Sequence, residues 1–132
     1  MPKTPLSCVL LADRHHGLTE GVRCLLETSF ETVVMVADEV SLLEGAIRLR
    51  PDVAVVDLSL AQSSGLGWFH ALRQHCPNLK VIVLSVHDEL SVRQAVMDAG
   101  ANAFVLKSAI ATELLTTVDA VRQGRREDVS IR

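Results

Sequence analysis

The chain has no tyrosine, one tryptophan and three phenylalanines, so aromatics make up only 3% of its 132 residues. Base-stacking surfaces for single-stranded nucleic acid need more rings than that. A net charge of −3 likewise gives no basic footprint for a phosphate backbone. Three cysteines, Cys8, Cys24 and Cys76, sit among apolar neighbours without CxxC spacing, which excludes a disulfide framework and a zinc knuckle and reads as reduced thiols. No apolar run is long enough to span a bilayer. The start, MPKTPLSCVLLADRHH, lacks a signal-peptide pattern, because its short apolar run leads straight into Asp13. The expected location is the cytoplasm, with no membrane partner.

What is present is a folding pattern. Hydrophobic residues make up 48% of a chain long enough to bury one core. Short β-branched runs (Cys8 to Ala12, Val33 to Ala37, Val53 to Val56, Val81 to Leu84, Ala103 to Leu106) alternate with stretches whose apolar residues recur at helical spacing. Leu18, Val22, Leu25 and Leu26 are one such set; Leu114, Leu115, Val118 and Val121 are another. Continuous rather than alternating apolar runs indicate strands covered on both faces, the signature of a parallel sheet. Repeated βα units then predict a doubly wound α/β fold, with Pro51, Pro77-Asn78 and Gly100 as punctuation.

The residue closing each run carries the functional information. The stretch PDVAVVDLSL ends its apolar run on Asp57; the first run closes on Asp13, the fourth on Ser85 and the fifth on Lys107. A lone strand-end acid is most often a cap. In open parallel sheets, however, ligands bind outside the carboxyl ends of the strands. Two acids, a hydroxyl and an amine directed to that edge suit phosphoryl chemistry: a nucleophilic carboxylate, a mobile cation for a phosphoryl oxygen, and oxygen ligands for magnesium.

These pieces, in order (VLLADRHH, VVDLSL followed by SSGLG, VIVLSVHDE, DAGANAFVLKSA), resemble the receiver domains of two-component response regulators, especially those preceding LuxR-type DNA-binding domains. The resemblance implies a flavodoxin-like (βα)5 three-layer sandwich with strand order 2-1-3-4-5. It makes Asp57 the acceptor of a phosphoryl group from a histidine kinase and Lys107 the essential lysine. Ser85 takes the place of the hydroxyl that follows phosphorylation, and Phe104 that of the switch aromatic. Asp13, Asp57 and the backbone carbonyl of Ser59 become magnesium ligands, and Gly65 the glycine that opens the third helix. Such a domain is not an enzyme beyond phosphorylating itself from phosphodonors and dephosphorylating itself. Its switching surface is formed by the fourth helix, fifth strand and fifth helix, where a second copy can dock. Residues 1–124 would form the receiver and 125–132 a tail or the start of a linker to an absent output domain, through which alone DNA would be reached.

One departure stands out. The family pattern places two adjacent acids after the first strand; here the pair is Asp13-Arg14. Exchanging carboxylate for guanidinium changes the local charge by two units, and unit charges about 4 Å apart interact by roughly 4 kcal/mol at an effective dielectric near 20. Magnesium binding is therefore expected to be weakened or lost, with Arg14 reaching Asp57 or a phosphoryl group bound there; the plainer alternative is that Arg14 points to solvent and only the ligand is lost. The alternative function is a pseudo-receiver, an interaction module independent of phosphorylation. Of the remaining motifs, His15-His16 reads as a solvated turn and Trp68-Phe69 as packing or interface residues. The Arg122, Arg125 and Arg126 cluster reads as a solvated helix end. Gly65-Leu66-Gly67 lacks the third glycine of a dinucleotide fingerprint.

Overall fold

Five apolar runs need cover on both faces, and in the computed structural model, which describes residues 4–14, 16–61, 66–124 and 127–128, they receive it. The order is β1 (Thr4–Ala12), α1 (His16–Leu26), β2 (Phe30–Val36), α2 (Glu39–Leu49), β3 (Val53–Asp57), α3 (Gly67–His75), β4 (Lys80–Ser85), α4 (Leu90–Asp98), β5 (Ala103–Leu106), α5 (Ile110–Arg122) and β6 (Glu127–Asp128). Short 3-10 turns follow β3 (Leu58–Ala61) and β5 (Lys107–Ala109). The sheet runs β2-β1-β3-β4-β5-β6 with every pairing parallel, so the expected order 2-1-3-4-5 is borne out.

Alternation sorts the strand residues into two layers. Leu10, Ala54, Val56, Val81, Val83 and Phe104 face α2, α3 and α4, meeting Leu42, Phe69, Leu72 and Val96. Val9, Leu11, Val53, Val55, Ile82, Leu84 and Val105 face α1 and α5, meeting Val22, Leu26, Leu114 and Val118. Trp68 and Phe69 are buried packing residues, as expected.

Three details differ from the sequence reading. β1 begins at Thr4 and β2 spans Phe30–Val36, because the polar start of β1 is held in the sheet by pairing rather than by apolar patterning: Ser7 is buried, and its Oγ accepts the Glu31 N–H at 3.0 Å. A sixth strand, Glu127–Asp128, lies beside Ala103–Phe104 inside the segment read as a tail. Arg122 is only half-buried rather than solvated, with its guanidinium 4.7 Å from the centroid of the buried Phe30 ring. Arg125, Arg126, His15 and Gly65 lie outside the described residues.

The side of the sheet opposite the strand ends that matter for function is closed by a knot that sequence patterning did not reveal. Arg73 of α3 donates to the carbonyls of Leu79 and Gly100 (the latter at 2.7 Å) and to Asn102 Oδ1 at 2.8 Å. Asn102 in turn accepts the Val81 N–H at 2.8 Å. One guanidinium thus ties α3 to the start of β4 and to the turn between α4 and β5, where Gly100 adopts φ +114°, a conformation costly for any other residue. Arg73→Met, which keeps an apolar stem over Phe69, should lose about 2–3 kcal/mol of stability through the unpaired carbonyls. Urea denaturation measures this, and a loss below about 0.5 kcal/mol would show the knot to be ornamental.

Candidate functional site

A strand buried on both faces can carry charge only at its ends, and the carboxyl ends of β1, β3, β4 and β5 share one edge. Asp57 is the last residue of β3, in register with Leu84, one position before Ser85. Asp13 follows β1, and Lys107 opens the 3-10 turn after β5. Asp13, Asp57 and Ser85 are all buried, and the Lys107 side chain is only 13% exposed.

These groups converge. Lys107 Nζ forms an ion pair with Asp57 Oδ2 and lies 4.0 Å from Asp13 Oδ2. The other Asp57 oxygen, Oδ1, accepts the Ser59 N–H at 2.9 Å. Burial pushes the Asp57 carboxyl up, but the hydrogen bond from Lys107 and that from Ser59 N–H outweigh it and hold the carboxyl below the usual carboxylate range. The acid is therefore ionised at neutral pH inside an otherwise apolar frame, as a phosphoryl-accepting nucleophile must be.

Ser85 belongs to the same edge but faces the other layer. It continues the row of Val81 and Val83, whereas Asp57 continues Val53 and Val55. Its Oγ accepts the His87 N–H at 2.9 Å and is thus engaged by its own loop. Phe104 is fully buried in the layer of α3 and α4, in register with Val83. α5 packs on the opposite layer, to which Ala103 and Val105 point.

The expected contact of Arg14 is also absent. Arg14 is exposed, and among the described residues the ion-pair partner of Asp57 is Lys107. Lys107 reaches across from the end of β5, two strands away, with its ammonium directed at the carboxylate, whereas Arg14, although it follows the adjacent strand β1, sits on the turn leaving it with its side chain exposed. For magnesium the donor types are right, since two buried carboxylates and a backbone carbonyl are hard oxygen ligands. Their number is small, and among the described residues no group of three or more His, Cys, Asp or Glu side chains forms a metal cluster. Magnesium retains several waters and accepts one or two carboxylates, so the residues fit a weakly held ion.

Lys107→Met tests the electrostatics of this cluster. The lowered pKa of Asp57 contributes stability at pH above its unfolded value near 4, lost as pH falls through the folded value. Without Lys107, burial dominates and the Asp57 pKa should rise above the ordinary range. The variant should then lose stability as pH rises through that new value, relative to wild type. Carboxyl NMR titration reads the shift directly; an Asp57 pKa equal in both proteins would refute the assignment of cause.

Sequence comparison places this geometry in a family. The profile described as response regulator receiver domain matches residues 9–119. The chain is 34% identical over 128 residues to the nitrate/nitrite response regulator protein NarP of Escherichia coli (strain K12), covering 96% of this chain and 60% of NarP. It is 33% identical over 118 residues to the transcriptional regulatory protein DegU of Brevibacillus brevis, covering 88% of this chain and 50% of DegU. The chain thus spans about half to three-fifths of the length of these relatives. Among solved structures, a LuxR-family two-component response regulator from Aurantimonas sp. SI85-9A1 superposes with a TM-score of 0.83 at 27% identity, covering 91% of this chain and 87% of that one. The isolated REC domain of RcsB from Salmonella enterica serovar Typhimurium, solved with the phosphomimetic BeF3−, superposes with a TM-score of 0.82 at 25% identity, covering 95% of each chain. The fold, the matched span and the acidic strand-end site together make this chain a member of the response regulator receiver domain family, and so a signalling domain of two-component systems.

Proposed function

We propose that Asp57 accepts a phosphoryl group from the phosphohistidine of a partner kinase, and that this event switches a protein-interaction surface. The observation that carries the proposal is the Lys107–Asp57 ion pair, which keeps a buried carboxylate ionised at the sheet edge. In the transfer, an Asp57 oxygen forms the new P–O bond as the P–N bond to the imidazole breaks, and the leaving nitrogen keeps the electron pair. Lys107 then shifts from the carboxylate to a phosphoryl oxygen, a small movement for a flexible ammonium. Ser59 N–H steadies the carbonyl end of the acyl phosphate, and Ser85 exchanges the His87 amide for the phosphoryl group. Bound magnesium supplies further neutralisation of phosphoryl charge, and Asp13, Asp57 and the Ser59 carbonyl are the groups to hold it.

Phosphorylation is read out where Phe104 and α4 meet, and the α4–β5–α5 face is the proposed site for docking a second copy. By analogy with relatives about twice as long, an output domain beyond this chain converts the switch into control of transcription.

The acceptor is tested with acetyl phosphate and magnesium. One phosphoryl mass should be added to the wild type and none to Asp57→Asn; labelling that persists in the variant at another residue would sink the assignment.

Arg14 separates this function from that of a phosphorylation-independent module. Its charge, exposed at the mouth of the site, opposes a dication and attracts an anion. Arg14→Asp restores the absent ligand and should tighten magnesium at least tenfold, followed by calorimetry or by fluorescence of Trp68. Equal, tight affinity in both proteins would make Arg14 electrostatically irrelevant and remove the main support for the phosphorylation-independent alternative.

A further inference from the structure

The ring of Phe104 is fully buried, and what closes over it is a cation. Arg93 of α4 is only 7% exposed, and its guanidinium lies 5.6 Å from the ring centroid. The same guanidinium donates from Nη2 to the carbonyl of Asp88 at 3.2 Å, in the loop between β4 and α4. The other end of that loop is tethered to Ser85, whose hydroxyl accepts the His87 N–H at 2.9 Å and lies 3.4 Å from the His87 carbonyl. Between these two tethers the loop has little else to hold it. Val86 to Leu90 are all exposed, and among the described residues the ion pair there, His87 Nδ1 to Glu89 Oε2 at 3.7 Å, joins two exposed side chains.

Register completes the chain of contacts. Ser85 pairs with Leu106 and Val83 with Phe104, so the hydroxyl and the ring lie on the same face of the sheet, two residues apart along neighbouring strands. A hydroxyl that turns toward Asp57 must give up His87. Release of the loop moves the Asp88 carbonyl relative to Arg93, so that the guanidinium gives up the hydrogen bond joining it to the loop.

We infer that Arg93 is a positioning residue for the phosphoryl site: it stabilises the state in which Ser85 is bonded to its own loop, and so restrains the hydroxyl from engaging a phosphoryl group on Asp57. This rests on the reading that Ser85 serves that group. Arginine suits the position because its planar fork lies flat on a ring while donating sideways to a carbonyl, a geometry that a lysine ammonium does not provide. A ligand that binds only the engaged state is weakened by whatever favours the resting one, so removing the restraint should strengthen binding.

Two measurements on the whole chain test this. The first needs no phosphoryl group: urea denaturation of Arg93→Met, Ser85→Ala and the double variant. Two tethers of one loop should be coupled, with the double variant's unfolding constant at least about twofold smaller than the product of the single effects requires. Independent effects would overturn the inference. The second is titration with beryllofluoride plus magnesium, followed by Trp68 fluorescence. Arg93→Met should bind about three- to tenfold more tightly than wild type, the range expected for loss of one hydrogen bond from the resting state. Arg93→Lys should move in the same direction. A residue that merely supports the fold would leave affinity unchanged or weaken it, and either result contradicts the restraint. Failure of beryllofluoride to bind any of the proteins would instead count against Asp57 as acceptor, while the denaturation cycle would still decide the role of Arg93.

Discussion

A parallel sheet covered by helices on both faces has an interior that water does not reach, and charge introduced there is tolerated only with a partner of opposite sign. That constraint organises the molecule. Polar groups are driven to the strand ends, and the carboxyl ends gather two acids, an amine and a hydroxyl within one small region. The Lys107–Asp57 pair is the outcome: a carboxylate that burial alone would protonate is kept charged by one ammonium and one backbone amide. Buried pairs of this kind repay their desolvation poorly, so their presence is better explained by reactivity than by stability.

The composition of the edge also sets what it attracts. Asp13 and Asp57 are faced by Lys107, and Arg14, next to Asp13 in the chain, is exposed, so two carboxylates and two cations belong to this edge. With an acid in place of Arg14, the pattern that the family resemblance implies, the same edge would carry an excess of two negative charges. A dication is held less firmly by the balanced arrangement, whereas an incoming phosphoryl group meets less repulsion.

The groups at the strand ends are divided between the two layers. Asp57 continues the row facing α1 and α5, while Ser85 and Phe104 face α3 and α4. Under the proposed function, the hydroxyl at the strand end is the group that would link an acceptor on one layer to the ring on the other. Because Ser85 is bonded to His87, and Arg93 spans Asp88 and Phe104, the loop after β4 is the shortest mechanical link between them.

The strand runs, the layered α/β class and the acidic strand end were legible in the sequence, because apolar runs bounded by Asp13, Asp57, Ser85 and Lys107 are local patterns that burial imposes on the chain. What stayed illegible rests on contacts between residues far apart in sequence. The Arg73 knot joins a helix to two connections, and the contacts of Arg93 and Arg122 with Phe104 and Phe30 partly hide guanidiniums that composition counts as surface charge. The pairing of Glu127–Asp128 with β5 carries no apolar signal in the sequence, since both residues are acids. The partner of Asp57 shows the same limit: Arg14 and Lys107 offer equal charge in the sequence, and only the convergence of strand ends, which aims Lys107 at the carboxylate and leaves Arg14 in water, decided between them.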